Sequence, residues 1–150
     1  MLIAMRRNRQ VRDGRAFIQE LSRFTEQTIN LELIAPEKTV ELERSILEIV
    51  RNDRGLLSRE SGLSWDEIEP RFANFLHQSD SGSFSVLLCS KPEFSFISSE
   101  GDLKLILKGA LEIDGETIYI VETAEHGQGF GIDKYEEGGK GVFEFDLFKF

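Results

Sequence analysis

A single cysteine, Cys89, excludes an intramolecular disulfide, so this chain has no covalent staple to hold it together. Only three prolines occur, and no Pro/Gly/Ser-rich stretch is long enough to act as a linker, so nothing in the composition divides the chain into domains. No uninterrupted apolar segment approaches the roughly 18 residues that a membrane span needs. Met1 to Met5 is too short for the apolar region of a secretory signal before the arginines begin at Arg6. These absences predict a soluble chain in a reducing, cytoplasmic setting. Arginine is missing altogether after Arg71, and every lysine except Lys38 lies at or after Lys91.

What is present is enough for a core. Apolar residues make up 40% of the 150 positions and 12 of them are phenylalanine, which argues against disorder as a description of the whole chain. The net charge of −9 is unevenly spread: +2 over residues 1–35, −4 over 36–80 and −7 over 81–150. An acidic second half repels phosphate backbones and attracts basic partners.

Residues 6–15 form an arginine-rich run with no apolar period, read here as a flexible basic arm (1–15) before a single domain over 16–150. From Ala16 the spacing of Phe17, Leu21 and Phe24 predicts a helix ending near Gln27. Ile29, Leu31 and Leu33 alternate with polar residues, which predicts a short strand near 28–34. Pro36 and Glu37 suit a first helical turn, and Leu42, Ile46, Ile49 and Val50 carry that helix to about Asn52. Ser64 and Glu67 have the spacing of a capping box, so a further helix starts there, with Pro70 kinking it or opening a fresh turn.

Beyond Gly82 the period falls to 2, and strands are predicted at 84–90, 93–98, 103–113, 116–123 and 142–150. Gly109 then marks a bulge in the third of these, and Asp114-Gly115 a tight hairpin turn. Residues 124–141, with six glycines, read as a long irregular loop. The fold class expected is α+β, with N-terminal helices packed on a C-terminal, mainly antiparallel sheet.

Several patterns carry possible chemistry. Gly127-x-Gly129-x-Gly131 lacks both the spacing and the following helix of a phosphate-binding loop, and Gly138-Gly139-Lys140-Gly141 lacks a magnesium-holding hydroxyl. Glu122, Glu125 and His126 contain metal-ligating types but leave a strand rather than sharing a helix face. Cys89 sits in an apolar run, the setting of an inert core thiol. Glu93 with Asp102-Leu103-Lys104 resembles the acid, spacer, acid-x-lysine pattern of metal-dependent nucleases, without basic substrate contacts nearby. No cofactor, metal or catalytic residue is assigned.

Residues 42–98, with Leu57, Gly62, Leu63 and Ile68 at apolar and turn positions, resemble a winged helix-turn-helix, which implies a DNA-binding regulator. The segment 65–71 departs from that family, because it offers Asp66, Glu67 and Glu69 with only Arg71 positive. The leading expectation is therefore a non-enzymatic protein-binding domain, an acidic immunity-type antidote occluding a basic toxin or nucleic-acid-processing partner, with nucleic acid itself not expected as a ligand. The contact residues expected are Glu125, Asp133, Tyr135, Glu136 and Glu137 on the 124–141 loop, with Phe148 and Phe150 as aromatic anchors at a sheet edge.

Overall fold

The helix predicted to open at Pro36 runs from Pro36 to Asn52 (α2), and the capping box is present, with Ser64 accepting from the Glu67 N–H and Glu67 reaching back to the Ser64 N–H. The computed structural model describes residues 2–29, 31–52, 54–79, 82–91, 94–114, 117–123 and 127–150. The elements are α1 (Leu2–Thr25), β1 (Glu32–Leu33), α2 (Pro36–Asn52), β2 (Leu56–Leu63), α3 (Trp65–Gln78), β3 (Ser83–Leu88), β4 (Ser95–Ser99), α4 (Glu100–Asp114), β5 (Ile118–Glu122), β6 (Gln128–Glu137) and β7 (Lys140–Lys149). All strands join one antiparallel sheet in the order β1-β4-β3-β5-β6-β7-β2. The α+β class holds.

Alternation along the strands sends side chains to two separate cores, because successive residues of a strand face opposite sides of a sheet. Phe84, Val86, Leu88, Ile118, Ile120, Phe130, Ile132, Phe143 and Phe145 face α1, α3 and α4. Leu87, Tyr119, Val121 and Phe148 face the other way and pack with Ile46 of α2. The described residues thus form three layers, with one helix on one side of the sheet and three on the other. A buried hydroxyl pair, Thr39 and Ser95 at 2.7 Å, ties α2 to β4 and satisfies two polar groups that burial would otherwise penalise.

Several expectations are corrected. Residues 103–113 are helical rather than extended, because Leu103, Ile106, Leu107, Ala110 and Leu111 repeat at helical spacing and all face the core. Gly109 marks a helix crossing rather than a bulge, since a Cβ there would lie 2.5 Å from Leu21 Cδ1 of α1. Asp114 ends this helix, so the Asp114-Gly115 pair does not join two strands, and Gly115 lies outside the described residues.

The remaining corrections concern the two most polar stretches. The arginine-rich run of residues 6–15 lies within α1, which continues unbroken into the Phe17 and Leu21 core contacts. Residues 56–63 form edge strand β2 against β7, so 42–98 does not build a helix-turn-helix. Arg71, the one base of its expected recognition helix, makes a bidentate pair with Glu60 of β2, at 2.6 and 2.8 Å. That pair holds the Glu60 carboxyl below its ordinary range. Pro70 stands inside α3, which continues through it to Gln78.

Candidate partner-binding face

The glycine-rich stretch expected to be a long loop is mostly a hairpin. From Gln128 the chain pairs residue for residue with β7, from Gln128 opposite Lys149 to Glu137 opposite Lys140. The turn is Gly138-Gly139, at φ +58° and +81°, the two positive backbone angles that a two-residue hairpin turn requires. Every second residue of β6 has a job: Phe130 and Ile132 enter the large core, while Gly129 and Gly131 leave room on the other side for the rings of Phe148 and Tyr119.

The face carrying those two rings changes character along its length. Near α2 it is dry, with Phe148 fully buried and in edge contact with both Tyr119 and Phe150. Towards the hairpin tip it opens, and Asp133, Tyr135 and Glu137 of β6 line up with Lys140, Glu144 and Asp146 of β7 and Arg59 and Ser61 of β2. Glu137 and Lys140 are exposed, and Tyr135, Asp133 and Glu144 half-buried.

This face is internally braced. Arg59 donates through Nε to Asp146 Oδ1 at 2.8 Å and through Nη2 to Oδ2 at 3.3 Å, with Glu144 Oε1 3.3 Å from the same Nε. Ser61 Oγ donates to the other Glu144 oxygen at 3.0 Å. Asp133 accepts from the Thr117 hydroxyl at 2.8 Å. The Tyr135 hydroxyl accepts from the Gly62 N–H at 2.8 Å, a contact that reaches across β7 to the edge strand. The ring is therefore held in place before any partner arrives, which limits the ordering cost of using it in binding.

Tyr119 sits at the boundary between the dry and wet parts. Burial pushes its phenol well above the ordinary value, and the nearby Cys89, Asp146 and Asp133 push in the same direction, against a smaller opposing effect of Arg59. A phenol whose proton is held more tightly in the folded chain contributes stability that is complete below the unfolded value of about 10 and fades as pH rises above it. The urea midpoint is expected to fall above about pH 10, and Tyr119→Phe to fall less steeply there. Parallel pH profiles for the two chains would contradict this assignment.

The structure unites some of the residues expected to bind a partner and separates others. Asp133, Tyr135 and Glu137 share the open face. Glu136 is exposed but alternates to the opposite side of β6, opposite Gly141. Glu125 lies outside the described residues, as does His126. Phe148 is not a surface anchor: β7 is an interior strand between β6 and β2, and the ring fills the core under α2. Phe150 is half-buried beside it.

Other residues singled out for chemistry are dispersed. Glu122 accepts from the Gln128 N–H at 3.2 Å, and Cys89 lies in the turn after β3 against the α2-side core. Asp102 and Lys104 lie on α4, not on a hairpin. Among the described residues no three His, Cys, Asp or Glu side chains are grouped to hold a metal ion.

Glu144 and Asp146 had a visible signal, because they alternate with Phe143 and Phe145. Arg59 and Ser61 had none, since their segment shows no period. The architecture defined here is a three-layer α+β domain with an antiparallel sheet whose face is left open at one end. No family model, curated protein or solved structure matches the chain. No helix among the described residues is long and apolar enough to cross a membrane.

Proposed function

We propose that this chain is a protein-binding domain that takes a basic partner on the open face of the β6–β7 hairpin, in the manner of an antidote occluding a basic toxin or other nucleic-acid-processing protein in the cytoplasm. The observation that carries this reading is the immobilised Tyr135, flanked on its own strand by the carboxylates of Asp133 and Glu137 on a face open at that end. A fixed aromatic ring with charged groups around it is an arrangement that concentrates binding energy at the centre and leaves steering to the periphery, and here carboxylates outnumber the bases Lys140 and Arg59. Glu144 and Asp146 contribute less, because Arg59 and Ser61 already engage them.

The test is affinity capture from nuclease-treated extract of the source cells, followed by purification of whatever basic protein is retained. Tyr135→Ala is expected to weaken that complex by roughly 30-fold, matching a central aromatic worth about 2 kcal/mol. The double reversal Asp133→Lys with Glu137→Lys is expected to slow association at low salt and to have little effect at high salt. Retention of nucleic acid in place of a protein, or a complex indifferent to both changes, would overturn the reading.

A further inference from the structure

We propose that the free edge of β2 is a docking strand, on which an extended basic segment of the partner adds to the seven-stranded sheet as one strand more. This inference rests on the reading of the chain as a binder of basic proteins and names how the partner's backbone is held. β2 ends the sheet: it pairs with β7 on one side, and among the described residues no strand lies on the other. Its eight residues extend over about 26 Å at 3.3 Å per residue. Leu57 to Gly62 are all exposed, which leaves the edge uncovered among the described residues.

An edge strand presents a row of backbone donors and acceptors, and soluble proteins blunt such edges with lysine, proline or projecting charge. β2 has neither lysine nor proline. Its two charged side chains are drawn back over the sheet instead, Arg59 to Asp146 on one face and Glu60 to Arg71 on the other. Irregularities in the register with β7, between Leu56 and Ser58 and between Glu60 and Leu63, bracket a regular stretch of Ser58, Arg59 and Glu60 on which a ladder can start.

The two ends of the edge select the occupant. Near Leu63, a Cβ on Gly62 would lie 3.9 Å from Glu137 Oε2, which places that carboxylate at the edge itself, and Glu144 accepts from Ser61 next to it. At the other end Ile49 of α2, Leu57 and Phe150 line an apolar groove rimmed by Glu48, Arg54 and Lys149. Leu57 is 51% exposed there. Every strand pair of this sheet is antiparallel. A segment added in the same sense begins with basic residues beside Glu137 and Glu144 and ends with a large apolar side chain over Leu57. Main-chain hydrogen bonds then supply affinity and alternate side chains supply specificity. A second copy of this chain fits poorly, because it brings a further net charge of −9 and an edge whose one arginine is already engaged.

The experiment is fluorescence anisotropy and hydrogen exchange of the full chain with a labelled, capped octapeptide that carries lysine at its second, fourth and sixth positions and phenylalanine at its last, with threonine between. At saturating peptide the amides of β2 are expected to exchange about tenfold more slowly. Methylating the backbone nitrogens of alternate peptide residues removes the donors of one peptide edge only. One alternating set is therefore expected to abolish binding and the other to leave it unchanged. Leu57→Ser is expected to weaken the peptide about tenfold by removing the apolar contact, and to leave the urea midpoint in place because the side chain is exposed. Glutamate in place of the three lysines is expected to abolish binding. The proposal is overturned by no binding at low salt, by methylated sets that act alike, or by protection elsewhere than β2. It is equally overturned if light scattering shows a dimer that the peptide does not dissociate. A cellular partner weakened by Tyr135→Ala but indifferent to Leu57→Ser overturns the docking edge alone. One that Leu57→Ser weakens and Tyr135→Ala spares overturns the hairpin face alone.

Discussion

Phe130→Ala is expected to lower the unfolding free energy by about 4 kcal/mol, within the range found for emptying a buried phenylalanine site. The ring is fully buried and meets three others, Phe75 at 4.8 Å, Phe72 at 5.4 Å and Phe145 at 5.5 Å between centroids. Phe72 and Phe75 come from α3 and Phe145 from β7, so one side chain fastens a helix to the middle of the sheet. The neighbours are held by the backbone of two different elements, α3 and β7, and cannot collapse into the space. Loss of stability then comes from both the exposed transfer term and the cavity. Thermal or urea unfolding checks the magnitude, and a change below about 1 kcal/mol would show that the aromatic cluster repacks. Because Phe130 faces away from Tyr135, the folded fraction should bind its partner with unchanged affinity.

Gly55→Ala is expected to cost roughly 3 kcal/mol and, unlike the first substitution, to weaken partner binding as well. Gly55 has φ +78°, where a side chain costs roughly 1–2 kcal/mol. A Cβ would also collide with the carbonyl oxygen of Lys149, a backbone atom that cannot turn aside. That backbone is pinned, since the Lys149 N–H donates to the Gly55 carbonyl at 2.8 Å. Relief requires the start of β2 to lift from β7, adding strain of the overpacking kind, about 1–3 kcal/mol. As β2 lifts, Arg59 leaves Asp146 and Gly62 leaves the Tyr135 hydroxyl, so the ring loses its support. Urea midpoints combined with partner titration separate the two variants: stability alone falls in Phe130→Ala, and stability and affinity fall together in Gly55→Ala. A Gly55→Ala chain as stable as wild type would show that the turn has another conformation to offer.

Much of the fold was legible wherever a local pattern agreed with the final burial. The helix over 36–52 and the capping box at Ser64 are cases where one apolar stripe faces one core. Residues 103–113 misled because α4 is apolar over so much of its surface that Leu103, Leu105 and Leu107 also satisfy a period of two. The longer pattern through Ala110 and Leu111 was the deciding signal. Residues 56–63 carried no period at all: Arg59 to Gly62 are exposed on a sheet edge, and the pairing that makes them a strand is with residues far along the chain.

For the hairpin, glycines at 129 and 131 looked like loop chemistry. Alternating with Phe130 and Ile132, they are instead a strand whose missing side chains are replaced by the rings of Tyr119 and Phe148. The acidic character of the candidate face was visible in Asp133 and Glu137. That Tyr135 is anchored, and that Glu144 and Asp146 are neutralised by Arg59, depends on β2 lying beside β7. That adjacency leaves no mark on either segment alone.

The position of β2 also fixes when the face can exist. Its residues are synthesised well before those of β7, and until β7 arrives their backbone groups have no strand to join. A sheet closed by its earliest long strand pairing with its latest is a topology of large sequence separation, which slows folding relative to one built from neighbouring hairpins. The unfinished chain can form α1 while the face that carries Tyr135 is still unmade. Completion of that face is therefore a late event in the life of each molecule, reached only when its closing strand is laid down.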